Sequence, residues 1–598
     1  MSKRTIKLIF VTSILFCHVA NAKIITKWAG ELSPDRVLPE YPRPQMVRKD
    51  WINLNEQWEY AIRPRNLGRP KVFDGYILVP FCVESALSGV QKKVDGDNCL
   101  WYRRSFDVPK EWSDKRILLH FGAVDWKTIV WINGQQVGIH KGGYSPFTFD
   151  ITDALNAVGS QEVVLFIWDP TDTGTQPRGK QVKEPEGIWY TSVTGIWQTV
   201  WLEPVSKAHI KALKIIPDID AEVVRITAVC SDAANGFSIE AEVKEGLLTK
   251  DKSTADTANP IVIPIKNPKF WSPDSPFLYD LKVVLKDNKG KKVDEVSSYF
   301  GMRKISLGKD KEGITRMMLN NEFVFQLGLL DQGWWPDGLY TAPTDQALRY
   351  DIEVTKKLGF NLARKHVKIE PARWYYWCDK LGLLLWQDMP SGDEYIDPDE
   401  PDFKRSKQSA RQFKLELECM IDTLRNHPSI IVWVPYNEGW GQYDTPGITR
   451  MIKQLDPTRL VNSTSGWADR GVGDIHDIHA YPGPAMPEPE AKRALVLGEF
   501  GGLGLPIEGH TWQALDNWGY RNFKTPKELT DAYQILISKL YPLVDKGLSA
   551  AVYTQTTDVE IEVNGMMTYD RAVIKMAPKE VAKTNKRFYR NLTTKQPN

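Results

Sequence analysis

The run NHPSIIVWVPYNEGWGQ, residues 426–442, joins an apolar segment of strand length directly to a carboxylate. Its apolar part, residues 430–436, fits a strand that is buried on both faces, as in a parallel sheet. Glu438 follows that strand and stands between the amide of Asn437 and the indole of Trp440. A buried strand that ends on polar side chains is typical of a barrel whose functional groups lie at the strand ends.

The alternation of apolar strands with helical patterns continues through the chain after Leu307. Helical patterns at residues 344–358 and 408–425 fit between the strands. Eight such units in about 290 residues predict a C-terminal (β/α)8 TIM barrel over residues 308–598. The eight predicted strands are residues 324–328, 360–365, 383–388, 430–436, 459–463, 475–481, 494–499 and 548–555.

Short β-rich runs separated by turns fill the chain before the barrel. In TIVWINGQQVGIH, residues 128–140, the pair Asn133-Gly134 predicts a type I′ turn between two strands. This spacing predicts an N-terminal jelly-roll-like β-sandwich over residues 23–205. Residues 206–307 hold about seven further strands and predict a second, immunoglobulin-like β-sandwich.

Residues 1–22 have the pattern of a secretory signal. Lys3, Arg4 and Lys7 precede an apolar run, and Ala20-Asn21-Ala22 forms a small-residue cleavage site. The apolar run is shorter than the roughly 20 residues that a membrane-spanning helix needs. We therefore expect an exported protein, periplasmic or secreted, cut after Ala22 and without a membrane span.

Composition excludes some functions and favours others. Hydrophobic residues at 42% and charged residues at 25% are ordinary for a soluble globular protein. A net charge of +2 gives no reason to expect nucleic acid as a partner. The 22 tryptophans suit β cores and also surfaces that stack on sugar rings. The widely spaced cysteines form no disulfide framework, although a Cys82–Cys99 bridge stays open beside free thiols.

Two carboxylates fall at the C-terminal ends of predicted barrel strands. Glu438 follows the fourth strand and Glu499 closes the seventh, so both reach the barrel mouth from roughly opposite sides. Each alone could be a solvated loop acid. Together they form the equipment for cleaving a glycosidic bond, with a carbohydrate as the substrate.

Several motifs resemble those of glycoside hydrolase family 2, the group of β-galactosidases, β-glucuronidases and β-mannosidases. The resemblance extends over nearly all of the mature chain, and its strongest motif is RNHPSIIVWVPYNE, residues 425–438. The other matching motifs are WINLNEQWEY (51–60), VWINGQQVGIHKGGYSPFTFDIT (130–152) and GLSAAVYTQTTDVEIEVNGMMTYDR (547–571).

The resemblance implies a retaining, exo-acting mechanism with Glu438 as general acid/base and Glu499 as nucleophile. It also implies that Asn437 holds the hydroxyl next to the anomeric carbon and that Tyr481 lies beside the nucleophile. Arg364, at the end of the second strand, is expected to bond Glu499, with a barrel-rim ion pair as the alternative.

Further substrate contacts are predicted from Trp440 and from loops that depart from the family's pattern. His366 in NLARKHV comes one residue before the position of the family's histidine. Tyr553 stands where the family often has a tryptophan that forms the bottom of the substrate pocket. In the first barrel loop, Trp335 is expected to stack on substrate and Asp331 to shape the pocket.

Charged residues near the barrel mouth help to predict whether the substrate sugar is anionic. NGMM, residues 564–567, lacks the lysine of the family's uronic-acid motif. The basic residues Lys365, Lys368 and Arg373 either serve an anionic glycan or pair with local acids.

The sequence thus predicts a β-galactosidase that acts on oligo- or polysaccharide. A β-glucuronidase, a β-mannosidase, an arabinosidase-type enzyme and a catalytically weak glycan-binding relative stay open. His476 and His479 are three residues apart and face opposite sides of a strand, so no metal site is expected there. We expect no cofactor, and a homodimer is kept as an expectation because sandwich domains often mediate dimers.

Overall fold

The computed structural model describes residues 24–589. The predicted signal segment, residues 1–22, lies outside the described residues. Two β-sandwiches precede a barrel, which confirms the predicted fold class. Among the helices within these bounds, none has the length and apolar character needed to cross a membrane.

The first sandwich packs a four-stranded sheet, order β1-β14-β5-β9, against a six-stranded sheet, order β3-β2-β4-β10-β7-β8. Asn133 (φ 49°) and Gly134 (φ 84°) are both in the left-handed region, which confirms the type I′ turn between β7 and β8. The strands are β1 (Ile52–Asn53), β2 (Glu56–Pro64), β3 (Gly75–Val79), β4 (Asn98–Phe106), β5 (Arg116–Phe121), β6 (Val124–Asp125), β7 (Lys127–Ile132), β8 (Gln135–Lys141), β9 (Phe147–Asp150), β10 (Gln161–Trp168), β11 (Gln181–Val182), β12 (Tyr190–Thr191), β13 (Gly195–Ile196) and β14 (Val200–Val205).

The second sandwich has a three-stranded sheet, order β15-β16-β19, and a four-stranded sheet, order β18-β17-β20-β21. Alternate side chains of both sheets meet in one apolar core, as expected for a sandwich. The strands are β15 (Ile210–Asp218), β16 (Val223–Cys230), β17 (Ser238–Glu245), β18 (Leu248–Asp256), β19 (Ile261–Pro264), β20 (Tyr279–Lys286) and β21 (Lys292–Phe300).

The barrel is an eight-stranded parallel sheet, order β29-β28-β27-β26-β25-β34-β31-β30, whose first and last strands leave one gap in the hydrogen-bond ladder. A three-stranded antiparallel sheet, β22 to β24, precedes it, and β32 pairs with β33 beside it. The strands are β22 (Ile305–Lys309), β23 (Thr315–Leu319), β24 (Glu322–Phe323), β25 (Gln326–Asp331), β26 (Leu362–Lys365), β27 (Leu384–Asp388), β28 (Ile430–Val434), β29 (Leu460–Val461), β30 (Ile475–Ala480), β31 (Ala494–Gly501), β32 (Leu503–Gly504), β33 (Arg521–Asn522) and β34 (Leu548–Thr554).

Helices surround the barrel unevenly. The two helical patterns predicted in the sequence correspond to α1 and α3, and the Thr344 hydroxyl caps α1 by accepting from the Ala347 N–H. No α-helix lies between β29 and β31 in the described chain, so the usual eight-helix ring is incomplete there. The helices are α1 (Asp345–Lys357), α2 (Ala372–Leu381), α3 (Lys407–Leu424), α4 (Thr445–Leu455), α5 (Pro526–Ser538), α6 (Tyr541–Lys546) and α7 (Pro578–Asn585).

The cysteine side chains in the described chain are free thiols. Cys82 and Cys99 are both buried, and the Cys99 thiol donates to the Arg63 carbonyl at 3.3 Å. The bridge that the sequence left open is therefore not formed.

Asp379, at the end of α2, joins the second sandwich to the barrel. Its carboxylate accepts from the Tyr299 hydroxyl of β21 (2.8 Å), from His427 Nδ1 (2.6 Å) and from the Ser429 N–H (2.9 Å). The Asp379 carbonyl accepts from the indole of Trp271 at 2.8 Å. Because every one of these groups is buried, none can be satisfied by water when its partner is removed.

We expect Asp379→Ala to lower the free energy of unfolding by about 3 kcal/mol, because it leaves several buried donors without an acceptor. Differential scanning calorimetry measures the resulting fall in Tm. The matched variant Asp422→Ala removes an exposed ion pair with Arg425 and should change stability by at most about 0.5 kcal/mol. Equal Tm values for the two variants would contradict this role of Asp379.

Candidate active site

The turn after β28 places Glu438 at the barrel mouth. Asn437 extends the strand by a bridge to Ser465, and the Glu438 N–H donates to the Ser465 carbonyl at 2.9 Å. Glu438 itself adopts φ 52°, a left-handed conformation that costs about 1 kcal/mol or more for a residue with a side chain. The neighbouring loop thus holds the backbone in a strained turn that directs the carboxylate over the barrel.

A β-bulge in β31 brings Glu499 to the same pocket. Ala494 and Val496 pack inside the barrel, so strict alternation would point Glu499 outward. The ladder shifts by one residue at Gly498, and Glu499 pairs with His479 of β30. A side chain at Gly498 would come within 2.2 Å of the Asp477 carboxylate, so the bulge requires glycine.

His479 lies between the two carboxylates. Its Nδ1 is 2.8 Å from Glu438 Oε1 and 3.7 Å from Glu499 Oε2, while its Nε2 is 2.8 Å from the Ser465 hydroxyl. One side-chain oxygen of each carboxylate and one ring nitrogen of His479 all lie within 4.8 Å of one another. The two acids therefore face one small space.

Electrostatics assign a proton to this group. Burial alone would lower the pKa of His479, but the Glu499 and Glu438 carboxylates outweigh it and raise that pKa. Burial alone would raise the pKa of Glu438, but its hydrogen bond to His479 lowers it. The imidazole is thus the preferred proton carrier of the pair when no substrate is bound.

Arg364, at the end of β26, is a fully buried cation that several strand ends share. It makes two hydrogen bonds to Asp388 (3.0 and 2.9 Å), one to Glu499 Oε1 (3.2 Å) and one to the Asn437 side-chain oxygen (2.7 Å). Burial opposes its charge, yet Asp388 and Glu499 raise its pKa above the ordinary value. The expected contact between Arg364 and Glu499 is present, and Asp388 holds the guanidinium in place.

Tyr481 binds the other oxygen of Glu499. Its hydroxyl donates to Glu499 Oε2 at 2.6 Å and lies 2.6 Å from the Thr554 hydroxyl at the end of β34. Tyr520 stacks on the Tyr481 ring at 3.9 Å between centroids and is 45% exposed. Glu499 is therefore fixed on both oxygens, beside an aromatic surface that is open to solvent.

His366 and Trp440, both predicted to contact substrate, have different surroundings. His366 Nε2 is 3.4 Å from Glu499 Oε1, and its Nδ1 is 2.9 Å from the Gln332 side chain. Burial lowers the pKa of His366 well below its ordinary value, so the ring is neutral. Trp440 is half-buried and packs edge-on against Trp189 at 4.9 Å between centroids.

Tyr553 does not floor the pocket, which corrects the sequence prediction. Along β34, Ala550 and Val552 face the barrel interior, so Tyr553 faces the helices. Its ring packs against Phe500 and against Tyr533 of α5. The next residue, Thr554, takes the place at the site.

Trp335 and Asp331 also lie outside the pocket. The Trp335 ring is covered by the Arg571 guanidinium at 3.8 Å and by the edge of Trp28, so it offers no free face to a sugar. Asp331 points from β25 toward the helices, where its carboxylate binds the Lys365 ammonium at 3.0 Å. Both predictions of a substrate contact are wrong because these side chains are used in packing between elements.

The basic cluster predicted near the mouth is paired with local acids. Lys365 and Lys368 share the Glu370 carboxylate at 2.9 Å each, and Arg373 forms two 2.7 Å hydrogen bonds with Asp345. None of these three charges is available to an anionic glycan.

A loop of the first sandwich crosses the barrel mouth. We call residues 176–191 the mouth loop. A side chain at Gly179 would meet the Val367 carbonyl within 2.6 Å, which shows how closely the loop packs on the barrel. Its contacts reach the loops after five strands: Val367 after β26, Ser391 after β27, Trp440 after β28, Trp518 after β31 and Glu560 with Glu562 after β34.

Sequence reasoning missed His479, Asp388 and the mouth loop. The strand period places Asp477 and His479 on one face of β30 and continues to Tyr481 just after it, a signal that could have brought His479 to the site. Asp388 ends β27 and was a comparable signal. The mouth loop belongs to another domain, and no local pattern indicates where it docks.

Glu438, His479 and Glu499 offer three ligand atoms whose number and type would also suit a metal ion. The Arg364 guanidinium, in contact with Glu499, opposes a second positive charge at the same place. The residues therefore fit acid–base chemistry better than metal binding.

A barrel that carries two facing acids at its strand ends, preceded by two sandwiches, defines a class of multidomain glycosidase. Sequence profiles of glycosyl hydrolases family 2 match all three parts: the sugar binding domain at residues 76–203, the second domain at 208–303 and the TIM barrel domain at 341–493. The chain belongs to glycosyl hydrolases family 2.

Its relatives carry two different activities in their names. A β-galactosidase of Thermoanaerobacter pseudethanolicus is 28% identical over 66% of this chain and 53% of its own length. A β-glucuronidase of Paenibacillus borealis is 25% identical over 70% of this chain and 74% of its own length. The chain spans about half the length of the first curated relatives it matches, 40% of one and 53% of the β-galactosidase.

The same fold occurs in a solved structure, the β-D-glucuronidase of Dictyoglomus thermophilum. It superposes with a TM-score of 0.72 over 93% of this chain and 99% of that one, at 18% identity. The arrangement of the three domains is thus shared.

We expect His479→Gln to lower the free energy of unfolding by about 2 kcal/mol between pH 4.5 and 6.5, where the pair with Glu438 is fully charged. The raised pKa of His479 makes its contribution disappear as pH rises through that pKa. The lowered pKa of Glu438 makes its contribution disappear as pH falls through that value.

Thermal unfolding of both proteins across this pH range measures the difference. The control is His476→Gln, the same change on the opposite face of β30, which leaves the pair intact. A difference in Tm between wild type and His479→Gln that is constant from about pH 4 to 9 would contradict the assignment of charge.

Proposed function

We propose that the chain is an exo-acting glycosidase that releases a terminal β-linked sugar from an oligo- or polysaccharide with retention of configuration. The observation that carries this proposal is the closeness of Glu438 and Glu499: one oxygen of each carboxylate and one ring nitrogen of His479 lie within 4.8 Å of one another. Retaining enzymes hold their carboxyl groups about 5–5.5 Å apart, whereas inverting enzymes need about 6.5–9.5 Å to admit a water.

In the first step, Glu499 attacks the anomeric carbon and the glycosidic bond to the leaving oxygen breaks. Arg364 and Tyr481 each bind one oxygen of Glu499, which fixes the position and orientation of the carboxylate. Glu438 gives a proton to the leaving oxygen. In the second step Glu438 takes a proton from water, which displaces Glu499 from the sugar.

His479 supplies the proton through Glu438. The negative charge of Glu499 is one cause of the raised pKa of His479, and that charge disappears as the bond to the sugar forms. The imidazole then gives up its proton to Glu438 Oε1, 2.8 Å away, as the leaving oxygen needs it. Because Glu499 loses its negative charge as it bonds to the sugar, His479 releases its proton in the same step.

Exo action is supported by the mouth loop, which lies across one side of the barrel and contacts the loops after β26, β27, β28, β31 and β34. The exposed rings of Trp467 (43%) and Tyr520 (45%) remain beside His479 and Tyr481, respectively. Rings in this position can stack on the sugars of the substrate.

Two sugars are supported to a similar degree. The β-galactosidase predicted from the sequence has named relatives. A β-glucuronidase has a specific observation in its favour, which is the presence of two half-buried cations on the mouth loop. Arg178 lies over the Trp189 ring and Lys180 over the Tyr190 ring, each at 5.4 Å.

Neither Arg178 nor Lys180 forms an ion pair within 4.0 Å in the described chain. Lys180 is close enough to lower the pKa of both Glu438 and His366. A carboxylate on the sugar could pair with Arg178 or Lys180, whereas Lys365, Lys368 and Arg373 are already paired with protein carboxylates. The mouth loop thus offers a basis for uronic-acid recognition without the lysine motif that NGMM lacks.

β-Mannosidase and arabinosidase-type activities, and a weakly catalytic glycan-binding protein, are the remaining alternatives. Export after cleavage at Ala22 and a homodimer stay part of the proposal.

Hydrolysis of 4-nitrophenyl β-galactoside, β-glucuronide, β-mannoside, β-glucoside and α-L-arabinopyranoside tests the activity. We expect one sugar to be released, with Glu499→Gln reducing kcat by about 10³-fold or more because the nucleophile is lost. Glu438→Gln should lose less on 4-nitrophenyl glycosides, whose leaving group needs little protonation, and about 10²–10⁴-fold on natural glycosides.

The control Glu508→Gln alters an exposed acid in the loop after β31 and should retain full activity. NMR of the first product fixes the stereochemistry. Release of the inverted anomer would contradict the retaining mechanism. If the folded protein hydrolyses none of these glycosides, the glycan-binding alternative is favoured.

The choice of sugar is tested with Arg178→Ala and Lys180→Ala. If the substrate is a β-glucuronide, we expect either change to reduce kcat/KM by about 10- to 100-fold for the uronide, because a charge-assisted hydrogen bond is lost. Lys183→Ala, on the same loop but lining a cleft outside the barrel, is the matched control. Equal effects of all three changes, or none, would remove the observation that favours a uronic acid.

A further inference from the structure

A cleft between the first sandwich and α3 of the barrel has a volume of about 1090 Å³ and is strongly basic. Positively charged side chains on its walls are Arg65, Lys127, Lys141, Lys183, Lys407 and Arg411, and Asp97 is the one acidic side chain among the lining residues. The whole chain carries a net charge of only +2, so this cleft is far more basic than the chain as a whole.

Within residues 24–589, none of these six cations forms an ion pair shorter than 4.0 Å. Elsewhere on the same surface basic residues are commonly paired, as Arg63 is with Asp74 and Arg116 with Asp150. Six unpaired charges facing one cleft repel one another, and a polyanion in the cleft would remove that repulsion.

Two tryptophans form part of the wall. Trp126 and Trp168 meet edge to face at 6.1 Å between centroids. Arg65 lies over the Trp168 ring at 4.8 Å and Lys141 near the Trp126 ring at 5.8 Å. Unlike the buried Trp335, Trp168 is only half-buried, and a partly exposed ring beside a cation suits a sugar that carries an acidic group, because the ring contacts C–H groups and the cation binds the anion.

The mouth loop runs from the cleft to the barrel mouth. Gln176 begins the mouth loop and also lines the cleft, and its carbonyl lies within 2.2 Å of where a side chain on Gly392 would be. Lys183 of the same loop faces the cleft, while Lys180 is close enough to Glu438 to lower the pKa of that carboxyl. A glycan chain in the cleft would therefore extend toward the pocket along one loop.

We propose that this cleft is a second carbohydrate-binding site, which holds an anionic glycan chain while its end is processed at the barrel mouth. The shared chemistry of the ligand is a sugar chain with carboxylate or sulfate groups. The site goes beyond the proposed activity, and only the identity of the ligand as a glycan rests on that activity.

Binding is measured by isothermal titration calorimetry with three polymers: polygalacturonate for carboxylates, dextran sulfate for sulfates and a neutral galactan as control. The test variant is Lys127→Gln/Lys407→Gln/Arg411→Gln. The matched control is Lys211→Gln/Lys266→Gln/Lys289→Gln, which removes the same charge from exposed positions on the second sandwich.

We expect the test variant to weaken binding of polygalacturonate or dextran sulfate by about 10-fold or more and to reduce its dependence on salt, because fewer counterions are released. The control variant should bind as wild type does. Both variants should hydrolyse the small 4-nitrophenyl glycoside with unchanged kcat/KM, since the cleft lies outside the pocket. The anionic polymer that binds more tightly shows whether the site prefers carboxylate or sulfate groups.

Trp168→Ala separates a glycan site from a merely basic surface. It should weaken binding of the anionic glycan, yet leave binding of inorganic polyphosphate unchanged, because polyphosphate carries charge but has no ring to contact the indole. The proposal is overturned if the test variant binds as wild type does, or if polyphosphate binds as tightly as either polysaccharide. Binding that persists in a protein inactive on every glycoside would leave the cleft in place and reject the proposed activity.

Discussion

The buried guanidinium of Arg364 is the interaction on which the site depends. Removing an ion of this kind from water costs several kcal/mol, and only good hydrogen bonds on several sides offset the cost. Asp388 supplies two of them, and Glu499 and Asn437 supply the others. Because one cation serves the ends of β26, β27, β28 and β31, the positions of Glu499 and Asn437 are linked.

Around this cation the acids are arranged by local backbone irregularities. The bulge at Gly498 turns Glu499 inward, and the left-handed turn at Glu438 directs the second carboxylate over the same space. His479 then connects them through one proton. A regular strand at either place would have aimed one acid at the helices, so the irregular backbone is part of the chemistry.

Much of the fold could be predicted from the sequence because it depends on local patterns. Alternation and turn residues identify the sandwiches, and the apolar strands that end at Glu438 and Glu499 identify the barrel and its mouth. The bounds of α1 and α3 were predicted within a residue or so, since their capping and apolar periodicity are local.

The side-chain environment was harder to predict. Tyr553 was placed in the pocket although its neighbour Thr554 has the inward position, an error of one residue on a strand. Trp335 and Asp331 were predicted to contact the substrate, but the Arg571 guanidinium covers the Trp335 ring and Lys365 forms an ion pair with Asp331. Those partners are distant in sequence or on a neighbouring strand, and no periodicity shows whether a residue near the mouth is already engaged.

The docking of the mouth loop divides the candidate site between two domains. The acids are carried by the barrel, whereas the cations Arg178 and Lys180 are carried by a loop of the first sandwich. Changes in that loop can therefore alter the rim of the pocket without disturbing the strands that hold the acids. The same division means that the pocket is complete only when both domains have assembled, so any activity at the acids would report on the whole chain rather than on the barrel.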